Sequence, residues 1–323
     1  MPRLRTIVAQ SAFEMEGLAE VWNELTSTPP YSIFQRFGWN RLAAEIFSDR
    51  LRPHVICVDS DSGTAIIPAA INDREQRIEF LGETLFDYRD VLHAGDPEPL
   101  QLAWQQLAKL GLPLSICCID SAGVDRWGGF SLQTFCTAPE VSRDKTNEQQ
   151  FRLAHSRVGR HFRRLQRQGV EFRQFRGSDS EVVRQLYRRK AEQFAEDATN
   201  VFRDPSRREF MIASCALEDD NCDVFTLQSA EGDLVAGIVT FRDGGARRFY
   251  TIYFNPAWAR FSPGVVLLYE VTARSLAEGL SCDYMTGEYP YKMRFANSSR
   301  MLHKLELSAS DLAKTCTLRQ KVA

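Results

Sequence analysis

The sequence predicts an α/β (α+β) fold built from two units that repeat one element order, and three observations carry that expectation. The chain has 323 residues, about twice a typical single-domain length. Hydrophobic residues make up 44% and charged residues 25%, which is enough apolar material for two cores and too much for a disordered chain. Hydrophobic periodicity then reads β-α-α-β-β-β-α-β-β twice along the chain.

In the first half, RTIVAQ (5–10) reads as a short strand, and amphipathic helices follow at about 13–25 and 34–47. The stretches HVICVDS, TAIIPAAIN and RIEFLGE are strands separated by short polar turns. A helix near 97–110 and the strands PLSICCID and FSLQTFCT complete the half. In the second half VEFRQF is a strand and 178–197 a helix, and Asp204-Pro205 opens another, with proline at a position that needs no N–H. CDVFTLQS, LVAGIVTF and RRFYTIYF are strands joined by Gly- and Asp-containing turns. A helix over 264–279 and the strands CDYMTGE and MLHKLEL close the order. The polar stretch 138–150 marks the junction. The expected organisation is therefore a unit over 1–142, a basic linker helix over 143–169 and a unit over 170–323.

Charge and cysteine content narrow the function classes. With 40 Lys plus Arg against 42 Asp plus Glu, the net charge is −2, which excludes a globally basic nucleic-acid coat protein. No stretch approaches the roughly 18–20 apolar residues that span a bilayer, and MPRLRTIVAQ lacks a signal-peptide core, so a cytoplasmic protein is expected. The eight cysteines form no C-x-x-C pair and read as reduced thiols. The five histidines show no metal-ligand spacing, so no metal is expected.

The strongest chemical signal lies before the second-half helix at 264–279. A strand ends at Phe254, and the chain crosses Arg260 and Phe261 into Ser262-Pro263-Gly264-Val265. Ser262 is a capping candidate, Pro263 suits the first helical position, and Gly264 lets a ligand approach the backbone. Free N–H groups and the positive end of the helix then form an anion site for a phosphate or pyrophosphate, to which Arg260 adds charge. Plain helix-start chemistry is the alternative reading. The matching first-half helix opens at Asp96-Pro97-Glu98, where two carboxylates would repel an anion.

The next strand, Cys282 to Glu288, runs into Tyr289-Pro290-Tyr291-Lys292. Glu288 at its carboxyl end is a candidate general base, Tyr291 a candidate acid, and Lys292 a neutraliser of developing charge. Asp283 is a candidate for orienting the strand or the acceptor. A structural Glu288–Lys292 ion pair with packing tyrosines is the alternative.

Residues 151–176 carry eight arginines, at 152, 157, 160, 163, 164, 167, 173 and 176, against one acid, Glu171, for a local charge of 8 − 1 = +7. This Arg152–Arg176 segment reads as a tRNA-binding face, as a contact for an anionic lipid-linked or nucleotide-sugar acceptor or a membrane surface, or as a solvated linker helix whose arginines pair with acids elsewhere.

Several segments together resemble the CelD/BioF2-like acyltransferase family of the GNAT superfamily, related to the FemAB-type aminoacyltransferases. Phe34-Gln35 with Trp39 is similar to an F-Q-x-x-x-W signature, and the stretch from Arg163-Arg164-Leu165 to Gly169-Val170-Glu171-Phe172 to the basic helix entering the second unit. Phe202-Arg203-Asp204-Pro205 with Phe210 resembles an F-x-D-P helix start. Phe254-Asn255-Pro256 with Phe261-Ser262-Pro263-Gly264, and Asp283 through Gly287-Glu288 to Tyr291-Lys292, carry the most specific matches.

The resemblance implies two tandem GNAT-like units, each a mixed, largely antiparallel sheet flanked by helices. It implies acyl transfer, with acetyl-CoA or another acyl-CoA as co-substrate, to an amine or hydroxyl of a small-molecule or saccharide acceptor in exopolysaccharide or envelope biosynthesis. The first unit would shape the structure or the acceptor; the second would bind the donor. Arg260-Phe261-Ser262-Pro263-Gly264-Val265 departs from the superfamily's usual Q/R-x-x-G-x-G/A loop by keeping one glycine and inserting a proline. An aminoacyl-tRNA donor of the FemAB kind, or a non-catalytic scaffold, is the alternative.

Overall fold

The computed structural model describes residues 4–27, 31–127, 129–193, 195–196 and 200–319. The helix expected over 178–197 therefore falls in part outside the described residues. In the first half the elements are β1 (Leu4–Ala9), α1 (Ala12–Met15), α2 (Ala19–Thr26), α3 (Phe37–Ile46), β2 (Leu51–Pro53), β3 (Val55–Ser60), β4 (Gly63–Ile67), β5 (Ala69–Asn72), β6 (Arg77–Phe80), β7 (Leu92–Gly95), α4 (Glu98–Ala108), β8 (Leu114–Asp120) and β9 (Gln133–Val141). The second half contains α5 (Glu148–Ala154), α6 (Ser156–Gln166), β10 (Glu171–Arg176), α7 (Ser180–Gln193), α8 (Pro205–Leu217), β11 (Cys222–Gln228), β12 (Leu234–Asp243), β13 (Ala246–Phe254), α9 (Pro263–Ala277), β14 (Ser281–Asp283), α10 (Pro290–Met293), β15 (Ser298–Leu307) and α11 (Ala309–Arg319).

The chain forms two compact units, Met1–Cys136 with Met301–Ala323, and Thr137–Arg300. The boundaries differ from the sequence expectation because the last strand and helix return to the first unit. Leu305, Leu312 and Cys316 are buried there among Phe80, Trp104 and Trp127. Burying a leucine contributes about 1.5–3 kcal/mol, and nothing in local periodicity says which core receives it. In this unit β1, β3, β4 and β7 form one antiparallel sheet. The end of β15 pairs with β8, which meets β6 in parallel, and β5 and β2 follow in antiparallel order.

The second unit is built on the antiparallel run β10-β11-β12-β13, whose strands join by short turns. After α9 the chain returns as β14, parallel to β13, and β9 pairs antiparallel with β14. Alternation along β12 separates the two faces of the sheet. Ala236 and Ile238 pack into the core with Leu267, Leu268 and Val271 of α9. Gly237, between them, faces α7, where an added Cβ would come within 2.6 Å of Leu186. Helices α7 and α9 therefore cover opposite faces. The helix starts at Pro205 as expected, and Asp204 caps it, its carboxylate accepting from the amides of Ser206 and Arg207 at 2.9 and 3.3 Å.

The segment expected as one basic linker helix is instead two helices, α5 and α6, divided at His155. Both belong to the second unit and pack on α9. The approach is close: a Cβ on Gly159 would lie 2.9 Å from the Tyr269 hydroxyl. No helix among the described residues is long and apolar enough to cross a membrane. None of the eight cysteines is in a disulfide, and no group of three or more His, Cys, Asp or Glu among the described residues is gathered for a metal ion.

Candidate active site

The site is organised by the point where β13 and β14 part. Their parallel pairing runs through Ala246↔Ser281 and Arg247↔Cys282 to Arg248↔Asp283 and stops there. Strand β13 continues to Phe254, with a bulge opposite Val239/Thr240. The other chain turns towards β9: the amide of Tyr284 donates to Pro139 and that of Gly287 to Thr137, at 3.0 and 3.1 Å. Met285 takes a left-handed φ of 62° in this turn. The edge of β13 beyond Arg248 is thus left open next to the 284–288 segment. Because β13 and β14 are parallel, the loops leaving them emerge at the same end of the sheet.

Buried ion pairs fix the base of this split. Arg248 donates to Asp243 at 2.6 Å and to Asp283 at 2.5 Å. Its neighbour Arg247, only 1% exposed, donates to Asp223 at 2.6 Å and to Glu278 at 2.7 Å. Asp283 also accepts from the amide of Met285 at 2.8 Å. Its carboxylate is thus engaged from two sides, by Arg248 and by the Met285 amide.

Beyond Phe254 the chain crosses a 3₁₀ turn, Pro256–Phe261, into α9. Ser262 sits in the left-handed region at φ 50°, ψ 50°, and its side chain makes no capping hydrogen bond, contrary to the capping expectation. Its carbonyl accepts from Val266 at 3.0 Å. Helix geometry leaves the first amides without intrahelical partners. With Pro263 contributing none, those of Gly264 and Val265 are the donors at this end. Gly264 is packed against Phe254, 3.4 Å from the position of an added Cβ. Phe261 and Pro263 are buried.

Two arginines flank the Phe261 ring. Arg260 lies 4.7 Å from its centroid and Arg164, from α6, lies 5.4 Å from it. The structure thereby brings the basic helix to the start of α9, a link the sequence does not show. The alternative of arginines satisfied by acids holds only at the ends of the basic segment. Arg152 pairs with Glu148 at 2.8 Å and the buried Glu270 at 2.9 Å, and Arg173 pairs with Glu171 at 2.8 Å. Arg176 approaches Asp223 at 3.7 Å. Arg157, Arg160, Arg163, Arg164 and Arg167 meet no carboxylate among the described residues.

At the opposite lip stand the predicted acid–base residues. Glu288 is exposed, and its Oε1 accepts from the Thr137 hydroxyl at 2.5 Å. It is Thr137, not Lys292, that Glu288 contacts among the described residues. Lys292 is 6% exposed and donates to the Thr286 carbonyl at 2.6 Å and to that of Met285 at 3.4 Å. It braces the turn that presents Glu288. Tyr291 stacks on Tyr289 with ring centroids 5.8 Å apart, and burial pushes its hydroxyl up to about 12. That hydroxyl holds its proton at neutral pH and can donate a hydrogen bond.

Sequence reasoning missed Thr137 and Lys190, and it flagged Arg164 only as part of the basic segment. Lys190, on α7, donates to the Ile252 carbonyl at 2.6 Å on the extension of β13, and burial lowers its ammonium to about 8. No short-range pattern signals Thr137 or Lys190. Thr137 reaches Glu288 across 151 positions of sequence, and Lys190 reaches Ile252 across 62.

Comparison with known proteins agrees with this fold. Residues 152–293 match the acetyltransferase (GNAT) domain family. No curated protein matches the chain by sequence. L-PGS from Bacillus licheniformis is similar in fold, with TM-score 0.58 and 12% identity over 94% of this chain and 95% of that one. FemX gives TM-score 0.58 and 10% identity over 96% and 99%. A tandem GNAT protein from the clavulanic acid biosynthesis pathway gives TM-score 0.50 and 10% identity over 94% and 98%. At these identities the likeness concerns the fold, and it extends over nearly the whole chain. A GNAT acetyltransferase domain is thus matched over 152–293, and the two-unit fold of nearly the whole chain is similar to that of FemX and of a tandem GNAT protein.

Proposed function

We propose that the protein is an acyl-CoA-dependent N- or O-acyltransferase, with acetyl-CoA as the first donor to test and a sugar or envelope-polysaccharide precursor as acceptor. The observation that carries this reading is the parting of β13 from β14, with the bare amides of α9 at the end of one strand and Glu288 at the end of the other. An extended thioester arm fits along the open edge of β13. Its pyrophosphate meets the amides of Gly264 and Val265, with Arg260 and Arg164 adding charge.

Transfer is then direct. The acceptor nitrogen or oxygen attacks the thioester carbonyl, its proton passes to Glu288, and the carbon–sulfur bond breaks as the thiolate leaves. Tyr291 donates a hydrogen bond to that sulfur. Full proton transfer from a hydroxyl near 12 to a thiolate with an ordinary value of about 8.5 runs uphill, so its role is stabilisation. Lys292 holds the 285–286 carbonyls and keeps Glu288 presented.

A thermal-shift titration with acetyl-CoA, longer acyl-CoAs and free CoA tests the donor. At about 100 times the dissociation constant, a ligand adds about 2.7 kcal/mol of stability. This gain is expected in the wild type and absent in Gly264→Glu, which sets a carboxylate among the phosphate-binding amides. Because position 264 is tightly packed against Phe254, Arg260→Glu serves as a second variant with the same expected direction. No stabilisation by any CoA species would sink the acyl-CoA reading.

One observation favours a second donor. The unpaired arginines of α6 continue the positive surface away from Ser262, as a polyanion longer than CoA would require. For an aminoacyl-tRNA donor, tRNA affinity should fall steeply with salt and weaken in Arg160→Glu/Arg163→Glu. Salt-insensitive or absent tRNA binding would exclude it.

A further inference from the structure

A cavity of about 480 Å³ lies between α7 and α8 of the second unit, on the face of the sheet opposite α9. It is lined by Arg184, Tyr187, Arg188, Arg203 and Arg208, with Glu192 the one acid among the described lining residues. That acid is already committed, pairing with Arg189 at 3.2 Å. Arg208 is fixed as part of the wall, donating to the carbonyls of Phe202 and Arg203 at 2.6 and 2.9 Å. Arg184, Arg188 and Arg203 meet no carboxylate among the described residues. Arg184 and Arg188 stand one turn apart on α7, an arrangement that costs a helix stability through like-charge repulsion. Three uncompensated guanidinium groups around one concavity make a receptor for an oxyanion with several acceptor atoms.

The cavity is also joined to the transfer site. The Tyr187 hydroxyl lies 3.3 Å from the Thr251 hydroxyl, and Lys190, a few residues on, holds the Ile252 carbonyl. Both contacts fall on the stretch of β13 beyond its parting from β14. A molecule anchored in the cavity therefore approaches that strand from the α7 face, while the phosphate-binding amides of α9 belong to the other.

We infer that this cavity binds the phosphate group of a phosphorylated small-molecule acceptor. Its volume suits a small ligand, and the three open arginines supply the phosphate contacts. Calling the ligand an acceptor rests on the acyl-transfer reading above; phosphate binding by the cavity does not.

The test is calorimetric titration of the full chain with inorganic phosphate at low ionic strength, in wild type, Gly264→Glu and Arg184→Gln/Arg188→Gln. A binding event retained in Gly264→Glu and weakened about tenfold or more in the double arginine variant is the expected result. The double variant should melt no lower than the wild type, since it removes a like-charge pair. Phosphate affinity within twofold of wild type in that variant overturns the inference. Acyl-CoA stabilisation, measured on the same samples, separates the two readings. If it is absent throughout while phosphate binding still depends on Arg184 and Arg188, acyl transfer fails and the cavity site stands.

Discussion

Arg248→Met is expected to destabilise the protein by about 3–5 kcal/mol. The side chain is one of the least exposed charges in the second unit, and it is held by two carboxylates, Asp243 and Asp283, that are themselves buried. A methionine fills much of the same volume and supplies no donor, so both carboxylates lose their cation in a poorly solvated place. Domains are stable by only about 5–15 kcal/mol, so denaturant unfolding should register the change as a large drop in midpoint. Asp283→Asn added to Arg248→Met should recover part of the loss, because one of the two stranded charges is then gone. Strictly additive costs would show that the pair is not coupled and that Asp283 does something else. The pair stands where β13 and β14 stop pairing, so the same experiment asks whether the split has a rigid base.

Glu288→Gln should lower the turnover of acyl transfer by about 10²–10⁴-fold while leaving acyl-CoA stabilisation unchanged. The amide keeps the size of the side chain and can still meet the Thr137 hydroxyl, but it cannot take a proton from the acceptor. Glu288 is exposed, so folding should change by no more than about 0.5 kcal/mol. Thr137→Val should have the smaller effect, since it removes an orienting contact and leaves the base. Turnover in Glu288→Gln within threefold of wild type would remove Glu288 from the chemistry and leave the proton to another acceptor.

Much of the fold was legible in the sequence because it is local. Short apolar runs in CDVFTLQS and LVAGIVTF, glycine- and aspartate-bearing turns, and the Asp204-Pro205 helix start each depend on a few neighbouring residues. The repeated element order is the sum of such signals, and it agrees with the tandem two-unit fold. The start of α9 was legible for the same reason: Pro263 and Gly264 state their own backbone requirements. Ser262 shows where local reading stops. A serine before a proline reads as a cap, but the 3₁₀ turn that precedes it forces φ to 50° and carries the hydroxyl out of capping range.

By itself, then, the sequence determined most of the elements and their order, the Pro263-Gly264 helix start, and the run from Asp283 to Lys292 as the place to seek acid–base residues. Tertiary structure decided which unit the last strand and helix join, that Asp283 is held by Arg248, that Lys292 braces a turn, and that Thr137 orients Glu288. It also decided that Arg164 stands beside Arg260 and that four arginines of α7, α8 and the turn before it surround one cavity. The physical reason is one of range. Backbone conformation is set by steric and hydrogen-bonding terms among neighbours a few residues apart, whereas charges and hydroxyls acquire their roles from partners that only burial and strand pairing bring within 3 Å.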